Sequence, residues 1–231
     1  MIKATRKPLE QIVTMVGGYR RVLVVGCGGC TSVCLAGGQR EALALADELT
    51  AQAQSARVPR ECRTFTVERQ CNPEFLDSLA DRVQNADCVV SMACGAGAGY
   101  MADVFPTTPV FPALDTLFVG VDRDVGFYEE RCRSCGTCLL GETGGICPVT
   151  RCSKGVLNGP CGGTREDGSC ELADGIHCAW HDIYERLKGQ GRLSQILVVR
   201  PPMEWVDRGP RTLVQRGYED RYAAARKAAD R

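Results

Sequence analysis

Fifteen of the 231 residues are cysteine, and their placement constrains the fold more than any other feature. Eight lie between Cys132 and Cys178, in a stretch dominated by glycine, proline and cysteine: CGTC, TGGICP, NGPCGG, DGSC. That stretch has almost no hydrophobic periodicity. It cannot bury enough apolar surface to offset the entropy of ordering it, so bound metal is expected to organise it. The count is odd, so the cysteines cannot all pair as disulfides within one chain. The opening residues, MIKATRKPLEQIVTM, lack the apolar stretch of a secretory signal. The expectation is a cytoplasmic chain, where disulfides are rare and clustered thiols ligate metal. The longest apolar runs, such as Val22–Val25 and Val119–Val121, are far too short to span a membrane. Basic and acidic residues both number 28, and a net charge of zero argues against a nucleic-acid partner.

The first half reads as α/β. A helix over Leu9–Val16 precedes a strand, Arg21–Gly26, whose unbroken aliphatic run suits a parallel strand covered on both faces. A helix (Gly38–Gln52), a strand (Thr64–Glu68), a helix begun by proline (Pro73–Gln84) and a strand (Asp87–Ala93) are expected to follow. PVFPALD and Thr116–Val121 supply further strand material. Strands alternating with helices imply an open parallel sheet. The pattern changes near Tyr128, and one helix, Ala179–Gly189, closes the cysteine-rich part. The expected fold class is thus α/β, a small parallel-sheet domain followed by an irregular, metal-organised domain. The expected divisions are 1–127, 128–190, and an arm over 191–231 with an apolar run (Ile196–Val199), a stiffening Pro201–Pro202 pair and Trp205 as an interface anchor.

Two groups of thiols follow from this layout. Cys27, Cys30 and Cys34 come just after the first parallel strand, Cys71 after the second and Cys94 after the third. Ligands bind at that carboxyl edge in open α/β sheets, so these five are expected to converge there. Five is one too many for a four-ligand site. The favoured set is Cys27, Cys30, Cys34 and Cys94, with Cys71 as competitor. A strand, glycines and a helix also suit a dinucleotide, but GCGGCTSV lacks the G-x-G-x-x-G frame and its thiols would crowd a pyrophosphate. Cys62 and Cys88 fall in or beside strands and read as buried, unligated residues.

The second group opens as C-x2-C-x2-C at Cys132, Cys135 and Cys138, with Cys147 followed by Pro148. Ferredoxins hold iron–sulfur clusters with that pattern. Cys152, Cys161, Cys170 and Cys178 are single cysteines, compatible with zinc or with a cluster. His177 and His181 are the only histidines and read as surface or packing residues. The expected cofactors are two or three 4Fe–4S clusters, with zinc as the rival at one site. Asp122, Asp124 and Glu129 have no base or nucleophile to work with. The chain reads as a non-catalytic electron carrier.

The run from Cys132 to Glu171, with TGGICP and KGVLNGPCGG, and the CAW that follows it resemble the MetV-type subunit, the cysteine-rich C-terminal module of methylenetetrahydrofolate reductase systems. GCGGCTSVCLAGG, ERQC, MACGAG and PPMEW (Pro201–Trp205) are similar to the same family, so the resemblance covers most of residues 9–205. It implies iron–sulfur clusters, zinc or both. It also implies work beside a MetF-type flavoprotein reductase in one-carbon metabolism, either passing electrons from a donor protein or holding the complex together. Here the module stands without the reductase, so the flavin subunit is expected on a separate chain.

Overall fold

The chain begins with strand β1 (Ile2–Arg6) and helix α1 (Leu9–Met15), then enters a parallel sheet through β2 (Arg21–Cys27). Two helices, α2 (Cys30–Val33) and α3 (Gln39–Ser55), lead to β3 (Glu61–Val67). Then come α4 (Pro73–Leu76), α5 (Ala80–Gln84), β4 (Cys88–Met92), α6 (Gly95–Val104) and β5 (Val110–Pro112). The computed structural model describes residues 1–172, 174–203, 212–219 and 221. They fall into two units, Met1–Val198 and Val199–Arg231.

The parallel sheet has the order β3-β2-β4-β5. Alternate residues of β2 serve opposite faces. Val22 and Val24 pack with Ile12, Ala42, Leu45 and Leu49 of α1 and α3. Leu23 and Val25 pack with Leu76, Leu79, Val83 and Met101 on the other side. This two-sided cover is why the strand needs an unbroken aliphatic run. Helix α3 buries Ala42, Leu45, Ala46, Leu49 and Ala53, an apolar stripe at helical spacing. Residues 73–84, expected as one helix, are instead α4, a 3-10 turn at Asp77–Leu79, and α5. The break lets Leu76, Leu79 and Val83 all reach the sheet. Asn72 caps the start of α4, its Oδ1 accepting the Glu74 N–H at 3.0 Å.

A second sheet differs from the expectation. Strand β6 (Leu114–Asp124) does not extend the parallel sheet; it pairs antiparallel with β1 and with β7 (Phe127–Cys132) in the order β1-β6-β7. The register runs from Ile2 opposite Val119 to Arg6 opposite Leu114. Most residues of β6 are exposed or half-buried, the habit of an antiparallel strand with one wet face rather than of a buried parallel one.

Beyond β7 the chain is mostly loop, with a short helix α7 (Pro148–Arg151) and the amphipathic α8 (Ala179–Gly189). Trp180, Ile183 and Leu187 of α8 form a third core with Ile146 and Cys178, and Cys152 packs against it. The Trp180 indole N–H donates to the Val156 carbonyl at 2.8 Å. Leu193–Leu197 is a 3-10 turn, in which Ile196 packs on this core. Residues 196–199 form no strand, and Leu197 and Val199 are 80% and 84% exposed. Pro201 and Pro202 are exposed, and Trp205 lies outside the described residues, as does most of the terminal charged stretch. Among the described residues no helix is long and apolar enough to cross a membrane.

Candidate functional site

The first candidate centre lies at the carboxyl edge of the parallel sheet. Strands β3 and β4 flank β2, so the connections diverge there, and this is the place where open sheets bind ligands. Cys27 ends β2, Cys94 caps α6 just after β4, and Cys71 follows β3. Buried Gln70 ties these segments together. Its side-chain N–H group donates to the carbonyls of Val25 at 2.8 Å and Gly26 at 3.2 Å. Its Oε1 accepts the Ser91 hydroxyl from β4. Thr31, also buried, donates to the Met92 carbonyl at 3.0 Å and so holds the Cys30 turn on the end of β4. The Gly28 N–H donates to the Val67 carbonyl at 2.8 Å. A Cβ at Gly97 would stand 2.7 Å from the Ala93 Cβ and 3.0 Å from the Gln70 Cβ, so glycine is what lets α6 close on the loop of Cys71.

The thiols themselves are not equivalent. Cys27 is buried, Cys30 and Cys94 are half-buried, and Cys71 is exposed. Cys34 belongs to the core that holds Ala4, Val24 and Leu45, and its thiol donates to the carbonyls of Ala4 at 3.6 Å and Thr31 at 3.5 Å. Cys62 and Cys88 are in the same core, Cys62 at its margin. Both stand opposite Val22 in the sheet, one on each neighbouring strand. Burial raises both thiols above their ordinary value, Cys88 to about 12, where the nearby Asp87 carboxylate adds to the effect.

The second candidate centre is the cysteine-rich stretch. Cys132 closes β7, and the following turn donates the Ser134 N–H to its sulfur at 3.3 Å. Cys135 donates its thiol to the Thr137 carbonyl at 3.5 Å, Cys138 is exposed, and Cys147 caps α7, which packs against β7. The remaining four thiols share one cavity. Cys152, Cys161, Cys170 and Cys178 line it with His177, Arg151 and Lys154. Two isolated antiparallel bridges, Thr164 with Cys170 and Ser169 with His177, fold this segment back on itself. The Gly163 N–H, with help from Lys154, holds the Cys161 thiol below its ordinary value, and the Thr164 hydroxyl donates to the Cys178 sulfur at 3.1 Å.

His177 is exposed, as expected of a surface residue, but it also stands beside the four thiols. It lines the four-thiol cavity, and its Nδ1 lies 2.8 Å from the Asp182 carboxylate. Metal-binding histidines are commonly oriented by such a carboxylate. The only signal in the sequence was its position directly before Cys178. Soft thiolates with one imidazole fit zinc or an iron–sulfur cluster. Among the described residues, no three His, Cys, Asp or Glu side chains stand in a metal-ligating arrangement, and all fifteen cysteines are free. The structure therefore brings the cysteine segments together without gathering their sulfurs around one point. Glu129, on β7, is held below its ordinary value by Arg131 and also pairs with Arg123.

Residues 111–206 match the family described as methylene-tetrahydrofolate reductase C terminal. The match takes in β6, β7 and the whole cysteine-rich stretch, and leaves outside it β1 to β4 with the loops of Cys27, Cys71 and Cys94. No curated protein and no solved structure matches the chain.

Proposed function

We propose that this chain is a MetV-type subunit of a methylenetetrahydrofolate reductase system, a cytoplasmic iron–sulfur protein that works beside a separate MetF-type flavoprotein. The observation that carries the reading is the cavity lined by Cys152, Cys161, Cys170 and Cys178 inside the segment that matches the reductase C-terminal family. Cys132, Cys135, Cys138 and Cys147 would hold a second group, and the loops at the carboxyl edge a third. Bound clusters would supply one-electron transfer between a donor protein and the partner's flavin. The chain's own residues prepare for that. Ser134 N–H and Thr164 hydroxyl point hydrogens at sulfur, which stabilises negative charge on the thiolates. Arg151 and Lys154 line the four-thiol cavity, paired with Asp182 and Glu171. Glu129 and Glu171 are occupied by ion pairs with Arg131 and Lys154, an arrangement suited to a scaffold rather than to proton transfer.

Metal analysis of anaerobically purified protein, with capture of the flavoprotein, is the test. About twelve iron atoms per chain corresponds to three 4Fe–4S clusters. A colourless protein with neither iron nor zinc overturns the reading. One observation favours a second reading, a zinc-stabilised docking module without electron transfer: the Asp182–His177 pair beside four thiols is a zinc-like environment. One zinc per chain and no iron, with the flavoprotein still captured, selects that reading.

A further inference from the structure

We infer that the ligand set at the carboxyl edge is Cys27, Cys30, Cys71 and Cys94, and that Cys34 is a core residue with no part in it. This rests on the reading that a cluster binds at that edge. The sequence left five thiols for four places, and it favoured Cys34 over Cys71. The structure separates them. Cys34 is 2% exposed, and its thiol is already engaged by the carbonyls of Ala4 and Thr31 in the core beneath α3. Bringing its sulfur to the sheet edge would break both hydrogen bonds and open that core. Cys71 is exposed, and the residue before it, Gln70, is fastened to the carbonyls of Val25 and Gly26 just before Cys27. The first turn of α6, which follows Cys94, lies against the same loop: a Cβ at Gly97 would be 3.6 Å from the Cys71 amide nitrogen.

The partition then holds for the whole chain. Cys34 and Cys88 lie in one hydrophobic core and Cys62 packs against it. The other twelve cysteines lie outside that core, eight from Cys132 to Cys178, among them Cys178 in the small core around Trp180, and four at the carboxyl edge. Twelve is three sets of four, the number a cubane takes.

Single variants of the full chain, purified anaerobically, test the assignment by iron content and by the electron paramagnetic resonance signal of the reduced protein. Cys27→Ser, Cys30→Ser, Cys94→Ser and Cys71→Ser are each expected to lose about four iron atoms and the same spectral component. Cys34→Val is expected to keep both. Loss from Cys34→Val together with retention by Cys71→Ser overturns the assignment while leaving the edge cluster in place. Full iron in all five variants removes the edge cluster itself. Alkylation of the unmutated, iron-loaded protein gives an answer that no folding defect can confuse. Cys71, although at the surface, is expected to resist the reagent while iron is bound. Rapid modification of Cys71 with iron retained overturns the assignment.

Discussion

The Ser91 hydroxyl donates to Oε1 of Gln70 at 2.6 Å, inside the protein, where the ends of β3 and β4 face each other across β2. The same glutamine spends its N–H group on two carbonyls of β2. One buried side chain therefore fixes the spacing of three strand ends. A fully satisfied buried network of this kind rigidifies the backbone around it.

Replacing Gln70 with leucine keeps the volume and removes every one of these bonds. Each buried polar group left without a partner costs about 1–3 kcal/mol. The variant is expected to lose about 2–3 kcal/mol in urea unfolding, since the Ser91 hydroxyl and the strand carbonyls are stranded together. A loss below about 0.5 kcal/mol, the level of an ordinary surface change, would show that the network is not a clamp.

Gly159 lies under the Trp180 ring, and a Cβ there would stand 2.4 Å from its Cγ. Gly159→Ala forces the indole off the third core. The expected cost is about 1–3 kcal/mol, read as earlier thermal unfolding of the cysteine-rich part. Alanine at Gly155, where a Cβ meets nothing within 4 Å, meets no such obstacle, although its φ of 65° adds some backbone strain.

Burial lifts the Cys88 thiol from 9.0 to about 12. A raised value means that the folded state resists ionisation. Its contribution to stability is complete below the ordinary thiol value and is lost as pH climbs towards 12. Denaturant midpoints should therefore fall more steeply between neutral and alkaline pH in the wild type than in Cys88→Val. Parallel slopes would count against the buried thiol.

Asp87 works in the opposite direction. Its carboxylate accepts from the Arg21 side chain at 2.6 and 2.9 Å and from the Arg21 N–H at 2.7 Å, and these bonds hold it below its ordinary value. The stability it provides is present above the usual aspartate value, about 3.9, and is lost as pH falls through the lower folded value. Asp87→Asn should be less stable than wild type at neutral pH and should converge with it in acid. A constant gap between the two curves would refute the linkage.

Chelation is expected to open residues 133–178 to protease while the parallel sheet, Arg21–Pro112, persists. Mass spectrometry of the fragments checks this. Equal resistance with and without chelator would make the Trp180 core, rather than metal, the organiser of that segment.

The parallel sheet was legible because its signal is local: RVLVVG and DCVVSMA are continuous aliphatic runs, and the helix after the first has a clean apolar stripe. The antiparallel sheet was not, because IKATR carries little hydrophobic pattern and gains its strand form only from a partner far along the chain. The carboxyl-edge location of Cys27, Cys71 and Cys94 followed from the strand order. The inward turn of Cys34 did not, since the sequence shows a thiol four residues after Cys30 but not the Ala4 carbonyl that receives it. Gln70 was overlooked for the same reason. Its neighbour Cys71 drew attention, while its own bonds run to residues in β2 and β4.

The pairing of β1 with β6 has a consequence for how the chain is made. The segment that matches the reductase family begins at residue 111 and includes β6 and β7, yet the strand on the other side of β6 is Ile2–Arg6. Strand β1 must wait, unpaired, until β6 leaves the ribosome, so this sheet closes late and by a long-range step. It also follows that β6 without β1 presents an open edge of the right polarity for a short extended peptide. Strand β1 is in effect a tethered ligand, and the matched segment carries the strand edge that receives it.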